Sequence, residues 1–153
     1  MTPNQQFSKN PARFMKNNLI LIDNDVLHVP WNSGEAKFSL EQTYAGTFKS
    51  GAECPCYSLT ESNANVSFRA FWLTYKEGQE EIAWLNTDAR FFFSASLRGC
   101  AFAAGRGRNL WVNHVDGGRW SDPEIMQAAH NHNATSVFTA SQYQDANGNG
   151  EAT

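Results

Sequence analysis

Apolar residues in this chain come in short runs, each closed by residues that turn the backbone, and that rhythm points to a β-rich fold. Leu19-Ile20-Leu21-Ile22 reads as a buried strand ended by Asp23-Asn24-Asp25. Val26 to Trp31 and Lys37 to Leu40 read as further strands separated by Asn32-Ser33-Gly34. From Val66 to Tyr75 the residues are β-branched, aromatic or alternating up to Lys76-Glu77-Gly78, and Ile82 to Leu85 is expected to return as the partner strand. Phe91-Phe92-Phe93 opens an apolar stretch that runs through Leu97 to Ala104 and fits strand or helix by periodicity alone. One helix start is clear, because Ser121, Pro123 and Glu124 combine a capping box with a proline in the first turn. That helix is expected to run to about His130, with Val137 to Tyr143 as a candidate last strand.

A chain of 153 residues, 41% hydrophobic and 13% aromatic, has enough apolar material for one core. The expectation is a single domain over 1–153 with loose ends at about 1–17 and 145–153. A net charge of −3 with 18% charged residues lacks the basic excess of a nucleic-acid binder. The first eighteen residues have no continuous apolar core of the kind a secretory signal needs, and no run is long enough to span a membrane. Any export is therefore expected to use another route.

Cys54, Cys56 and Cys100 are an odd set, so at least one thiol is left over from any disulfide scheme within the chain. Cys54-Pro55-Cys56 is short of a metal site without a second pair, and both are expected to be ordinary strand or loop thiols. Cys100 stands differently. Ala101 to Ala104 leads into the turn Gly105-Arg106-Gly107-Arg108, and Leu110-Trp111-Val112 leads away. A turn centred on Gly107 places Cys100 opposite His114 on one face of a hairpin, where directly opposed Cβ atoms lie roughly 4.5–5.5 Å apart. A neighbouring imidazolium stabilises a thiolate and makes the sulfur a nucleophile near neutral pH. The alternative is that Cys100 is a buried small residue and His114 a surface histidine near Asp116.

Leu97-Arg98-Gly99-Cys100, followed by a Gly-rich turn and His114, resembles the Leu-x-Gly-Cys…His signature of the toxin glutamine deamidases. These include the catalytic domains of the cytotoxic necrotizing factors and the Burkholderia lethal factor family, the latter being the nearer match. The likeness extends from about Phe68 to Trp120 and takes in Trp72-Leu73, Lys76, Gly78, Phe92-Phe93-Ser94, Ala104-Gly105, Trp111 and His114-Val115-Asp116. The resemblance implies an α+β fold, a β-sandwich of mixed sheets with peripheral helices. It implies Cys100 as nucleophile, His114 as base and Ser94, six positions before the cysteine, as the hydroxyl that helps the histidine; Asp116 is a weaker candidate for that task. Gly99, with the backbone around it, is the candidate oxyanion donor. No cofactor is called for. The partner implied is a host protein carrying the target glutamine, either a translation-initiation RNA helicase or a Rho-type GTPase, met by a monomeric toxin delivered into the host cytoplasm.

Other classes fit some of the same residues. A transglutaminase or a cysteine protease uses the same Cys–His pair. Zinc held by His130 and His132 with His28 or His114 is a metal reading, and Asp145, Asn147, Asn149 and Gly150 resemble the opening of a calcium loop. A noncatalytic β-sandwich binder would present Trp31, Trp111 and Trp120 as its ligand patch.

Overall fold

Two threefold signals, Thr2-Pro3…Gln5 and Asn10-Pro11…Arg13, start short helices at the N-terminus of the computed structural model, which describes residues 1–22, 32–47, 50–77, 79–85, 87–95, 97, 99–116 and 121–142. In α1 (Pro3–Lys9) the Thr2 hydroxyl accepts the Gln5 N–H at 3.3 Å and the Gln5 side chain accepts the Thr2 N–H at 3.0 Å. In α2 (Pro11–Asn17) the Asn10 side chain accepts the Arg13 N–H at 3.0 Å. Helices of seven residues are marginal by themselves. They persist here because Phe7 and Phe14, 3% and 4% exposed, enter the core. Where the sequence suggests a loose end, residues 1–17 hold two short helices that each bury one phenylalanine.

The remaining elements are mostly strands, in two sheets, giving a mixed α+β architecture. Strands β1 (Leu19–Leu21), β2 (Gly34–Thr47), β3 (Glu53–Glu61), β4 (Phe68–Leu73) and β6 (Phe91–Ser94) form one sheet in the order β1-β3-β2-β4-β6. Strands β5 (Glu80–Trp84), β7 (Ala101–Arg106), β8 (Leu110–Val115) and β9 (Ala134–Phe138) form the other in the order β5-β8-β7-β9. The first sheet is mixed, β1 with β3 and β4 with β6 being parallel. The second is antiparallel throughout. Helix α3 (Asp122–Asn131) begins as the sequence predicts, the Glu124 carboxylate accepting from both the Ser121 N–H and its hydroxyl. It ends on Asn133 at φ +56°, a left-handed residue that turns the chain directly into β9.

Several expectations are redrawn. Lys37–Leu40 is part of a strand more than three times longer, whose bulge between Gln42 and Ala45 sits opposite Cys56, next to Pro55, which has no N–H to donate. The Ile82–Leu85 region does not return on β4; β5 crosses to the other sheet and pairs with β8. The stretch from Phe91 to Ala104 is two strands, β6 and β7, one in each sheet. The last strand ends at Phe138 and is followed by a 3-10 turn at Ala140–Gln142. The expected strand Val26–Trp31, Tyr143 and the tail from Asp145 lie outside the described residues.

Alternation along the strands sorts the side chains into layers. Phe68, Ala70 and Trp72 of β4, with Phe91 and Phe93 of β6, face α1 and α2 and join Phe7, Phe14, Phe38 and Leu59 in the largest apolar cluster. Phe71, Leu73 and Phe92 face the opposite way and meet Ala83, Val112, Phe102 and Ala104 of the second sheet. The far side of that sheet, through Ala101, Ala103, Trp111 and Val115, packs on Ile125 and Ala129 of α3. Gly105 is needed there, since a Cβ on it would come within 2.4 Å of the Trp111 ring. The layers therefore run helices, sheet, sheet, helix.

Candidate active site

The same alternation decides which polar side chains enter the space between the sheets. On β6, Ser94 follows the parity of Phe92; on β8, His114 follows that of Val112; just before β7, Cys100 follows that of Phe102. All three point toward the inter-sheet layer at one end of the sandwich. Ser94 Oγ and His114 Nδ1 lie 3.0 Å apart, a hydrogen bond that ties the first sheet to the second. Ser94 comes from an edge strand held beside β4 by the register Leu73↔Ser94.

The β7–β8 hairpin turns later than its sequence suggests. Its loop is Gly107-Arg108-Asn109, closed by the Gly107 N–H donating to the Asn109 carbonyl at 3.1 Å, and Arg106 pairs with Leu110. The turn is centred on Arg108, so His114 stands opposite Phe102, and Ala101 stands opposite Val115. Cys100 and His114 are therefore not the directly opposed pair expected from a turn at Gly107. The register moves by two residues, and an even shift keeps both side chains on the same face. They are diagonal neighbours, positions that lie roughly 7–8 Å apart in an antiparallel pair.

Cys100 is 4% exposed, and all three cysteines are thiols. Gly99 before it has φ +82°, a backbone that glycine adopts without a Cβ clash and that swings the chain into β7. His114 is 1% exposed, and burial pushes its pKa down from 6.5 to about 4, against the pull of the Asp116 carboxylate. The imidazole is neutral at pH 7. A resting thiolate–imidazolium pair, expected from the sequence, is disfavoured because burial penalises the charged ring. Among the described residues Nε2 has no hydrogen-bond partner. A buried N–H left unpaired costs more than a bare acceptor, so the favoured tautomer carries its proton on Nδ1, donated to Ser94, and leaves a lone pair on Nε2. That is the form a general base requires.

Tyr75 is a neighbour that the sequence reading did not single out. Two residues beyond Leu73, it keeps the parity that faces the second sheet, and its ring lies 5.3 Å from the His114 ring, centroid to centroid, at 43°. Its hydroxyl bonds to Asp116; burial first, then the charges of Asp116, Cys100 and Glu77, raise the phenol pKa. The loop bearing it is braced by Ser33, whose Oγ accepts the Thr74 N–H at 3.1 Å and donates to Glu81, and by a 3.3 Å Lys76–Glu81 ion pair. Continuing the β4 alternation past Leu73 would have found Tyr75. Asp116, weighed as an orienter of the imidazole, bonds the tyrosine instead, and Ser94 takes Nδ1.

The other candidates lie elsewhere. Cys54 and Cys56 are buried on β3, as the strand thiols they were expected to be. His132 packs on Trp111, on the α3 side of the second sheet, with His114 on the opposite face; among the described residues no group of His, Cys, Asp and Glu is placed to hold a metal ion. Trp111 is 4% exposed, a core residue and not part of a surface patch. His28, Trp31, Trp120 and the calcium-like segment lie outside the described residues. No helix among the described residues is long and apolar enough to cross a membrane. No protein-family model matches the chain, and no curated protein matches it.

Proposed function

We propose that this protein is a cysteine-dependent protein-glutamine deamidase, a toxin or effector whose sandwich is of the cytotoxic necrotizing factor catalytic type. The observation that carries the reading is the 3.0 Å Ser94–His114 bond, which fixes the orientation of a buried imidazole on the face it shares with a buried cysteine. Of the residues it joins, His114 belongs to the signature on which the family likeness rests, and Ser94 stands where the family has its helping hydroxyl.

Neutral His114 accepts the Cys100 proton on Nε2 as the sulfur attacks the side-chain carbonyl carbon of a glutamine. Backbone N–H groups at Gly99 and Cys100 stabilise the oxyanion, the positive φ of Gly99 letting the substrate approach closely. The tetrahedral intermediate collapses as the imidazolium gives its proton to the departing nitrogen, releasing ammonia and leaving a thioester. His114 then takes a proton from water, whose oxygen attacks the thioester and frees glutamate and the thiol. A neutral amide with donors becomes an acceptor-only anion, enough to disable a switch or active site in a host protein such as an RNA helicase or a Rho-type GTPase. Delivery into the host cytoplasm belongs to the same proposal.

The test is to incubate host-cell extract with the wild-type protein and with Cys100→Ser, and map glutamines converted to glutamate by mass spectrometry. Conversion only with the wild type supports the reading; incorporation of added primary amine or chain cleavage assigns the transglutaminase or protease instead. Matching maps from two folded proteins refute Cys–His catalysis.

A further inference from the structure

A cavity of about 520 Å³ opens beside Ser94, between the end of α2, β1 and the edges of both sheets. Ten of its twelve lining residues are apolar and none is charged, so an ionic group entering it would lose its hydration without a partner. Its two polar side chains are committed, Asn18 donating to the Phe14 carbonyl at 2.7 Å and Ser94 bonded to His114. Phe92, Phe102 and Phe138 form aromatic walls that stay only partly buried. Cavities of about 150 Å³ lined by such residues already accept benzene, and this one is more than three times larger. It adjoins the Cys100–His114 pair without being lined by either residue: Ser94, the partner of His114, is one of its walls, and Phe102, another, stands opposite His114 in the hairpin.

We infer that this cavity is a recognition subsite for a bulky apolar side chain of the substrate protein, lying close in sequence to the glutamine presented to Cys100. The inference rests on the deamidase reading and narrows its substrate class to glutamines flanked by a large aliphatic or aromatic residue. Polar selectivity is not available to the site, whereas apolar surface matched to an apolar side chain is. Met15, at the rim and 52% exposed, controls the entrance without belonging to the core.

Two measurements test this together. In NMR titrations with toluene, the methyl groups of Ile20 are expected to shift saturably in the wild type and much less in Met15→Trp, which fills the mouth. In deamidation assays, glutamine peptides with flanking Phe or Leu are expected to exceed Ser-flanked ones in kcat/KM by about tenfold or more. That preference is expected to collapse in Met15→Trp and persist in Met15→Ala, while turnover of N-acetylglutamine, too small to reach the cavity, stays unchanged in both. Equal turnover of all peptides overturns the subsite and leaves the deamidase reading standing. Toluene binding with no reaction on any glutamine, N-acetylglutamine included, overturns both.

Discussion

The buried, neutral His114 makes the stability of this protein depend on pH in a window that can be worked out. Its pKa is 6.5 when unfolded and about 4 when folded, because burial penalises the imidazolium. Between those values the unfolded chain binds a proton that the native protein does not, so stability falls as pH falls, by about 1.4 kcal/mol per unit at full effect. The contribution is complete above pH 6.5, shrinks through the window and is lost below pH 4. Its total is about 3 kcal/mol, a large share of the 5–15 kcal/mol typical of a domain. Urea unfolding followed by tryptophan fluorescence between pH 4.5 and 7.5, for wild type and His114→Gln, isolates it, because every other titrating group is common to both. The difference in unfolding free energy is expected to shift by about 2–3 kcal/mol in favour of the glutamine variant as the pH is lowered. In parallel, the His114 ring resonance should titrate near 4 and the acid limb of deamidation should lie well below pH 6.5. A free-energy difference that stays constant with pH, or a ring titrating at 6.5 or above, refutes the account of a neutral base held by burial.

Ser94→Ala removes the acceptor for the proton of a buried imidazole, an expected loss of about 1–3 kcal/mol, with turnover falling roughly a hundredfold as the tautomer and ring orientation loosen. Ser94→Thr should restore both, and unchanged unfolding and kinetics in the alanine variant would remove Ser94 from the site. Phe7→Ala is expected to cost about 3–5 kcal/mol in thermal or urea unfolding, since its ring packs on Phe14, Phe68 and Phe91. A cost below about 1 kcal/mol would show that the N-terminal helices are not part of the core.

What the sequence determined by itself was local. Turn clusters and apolar runs marked β1 and β4, and Ser121 with Glu124 marked the start of α3, because caps and turns are built from residues adjacent in the chain. The shared face of Cys100 and His114 was also legible, since side-chain parity in a hairpin survives any shift of two. Their relative position was not, because it depended on whether the loop centred on Gly107 or on Arg108, and glycines at 105 and 107 make several closures feasible. Tertiary structure alone decided that β5 leaves β4 for the opposite sheet, a contest between distant partners that no local signal records. It turned two marginal helices into core elements by giving Phe7 and Phe14 somewhere to go. It also set the chemistry of His114: the residue type allows either protonation state at neutral pH, and only the packing of two sheets, with Ser94 on one ring nitrogen and Tyr75 against the ring, withdraws the water that would stabilise its charge.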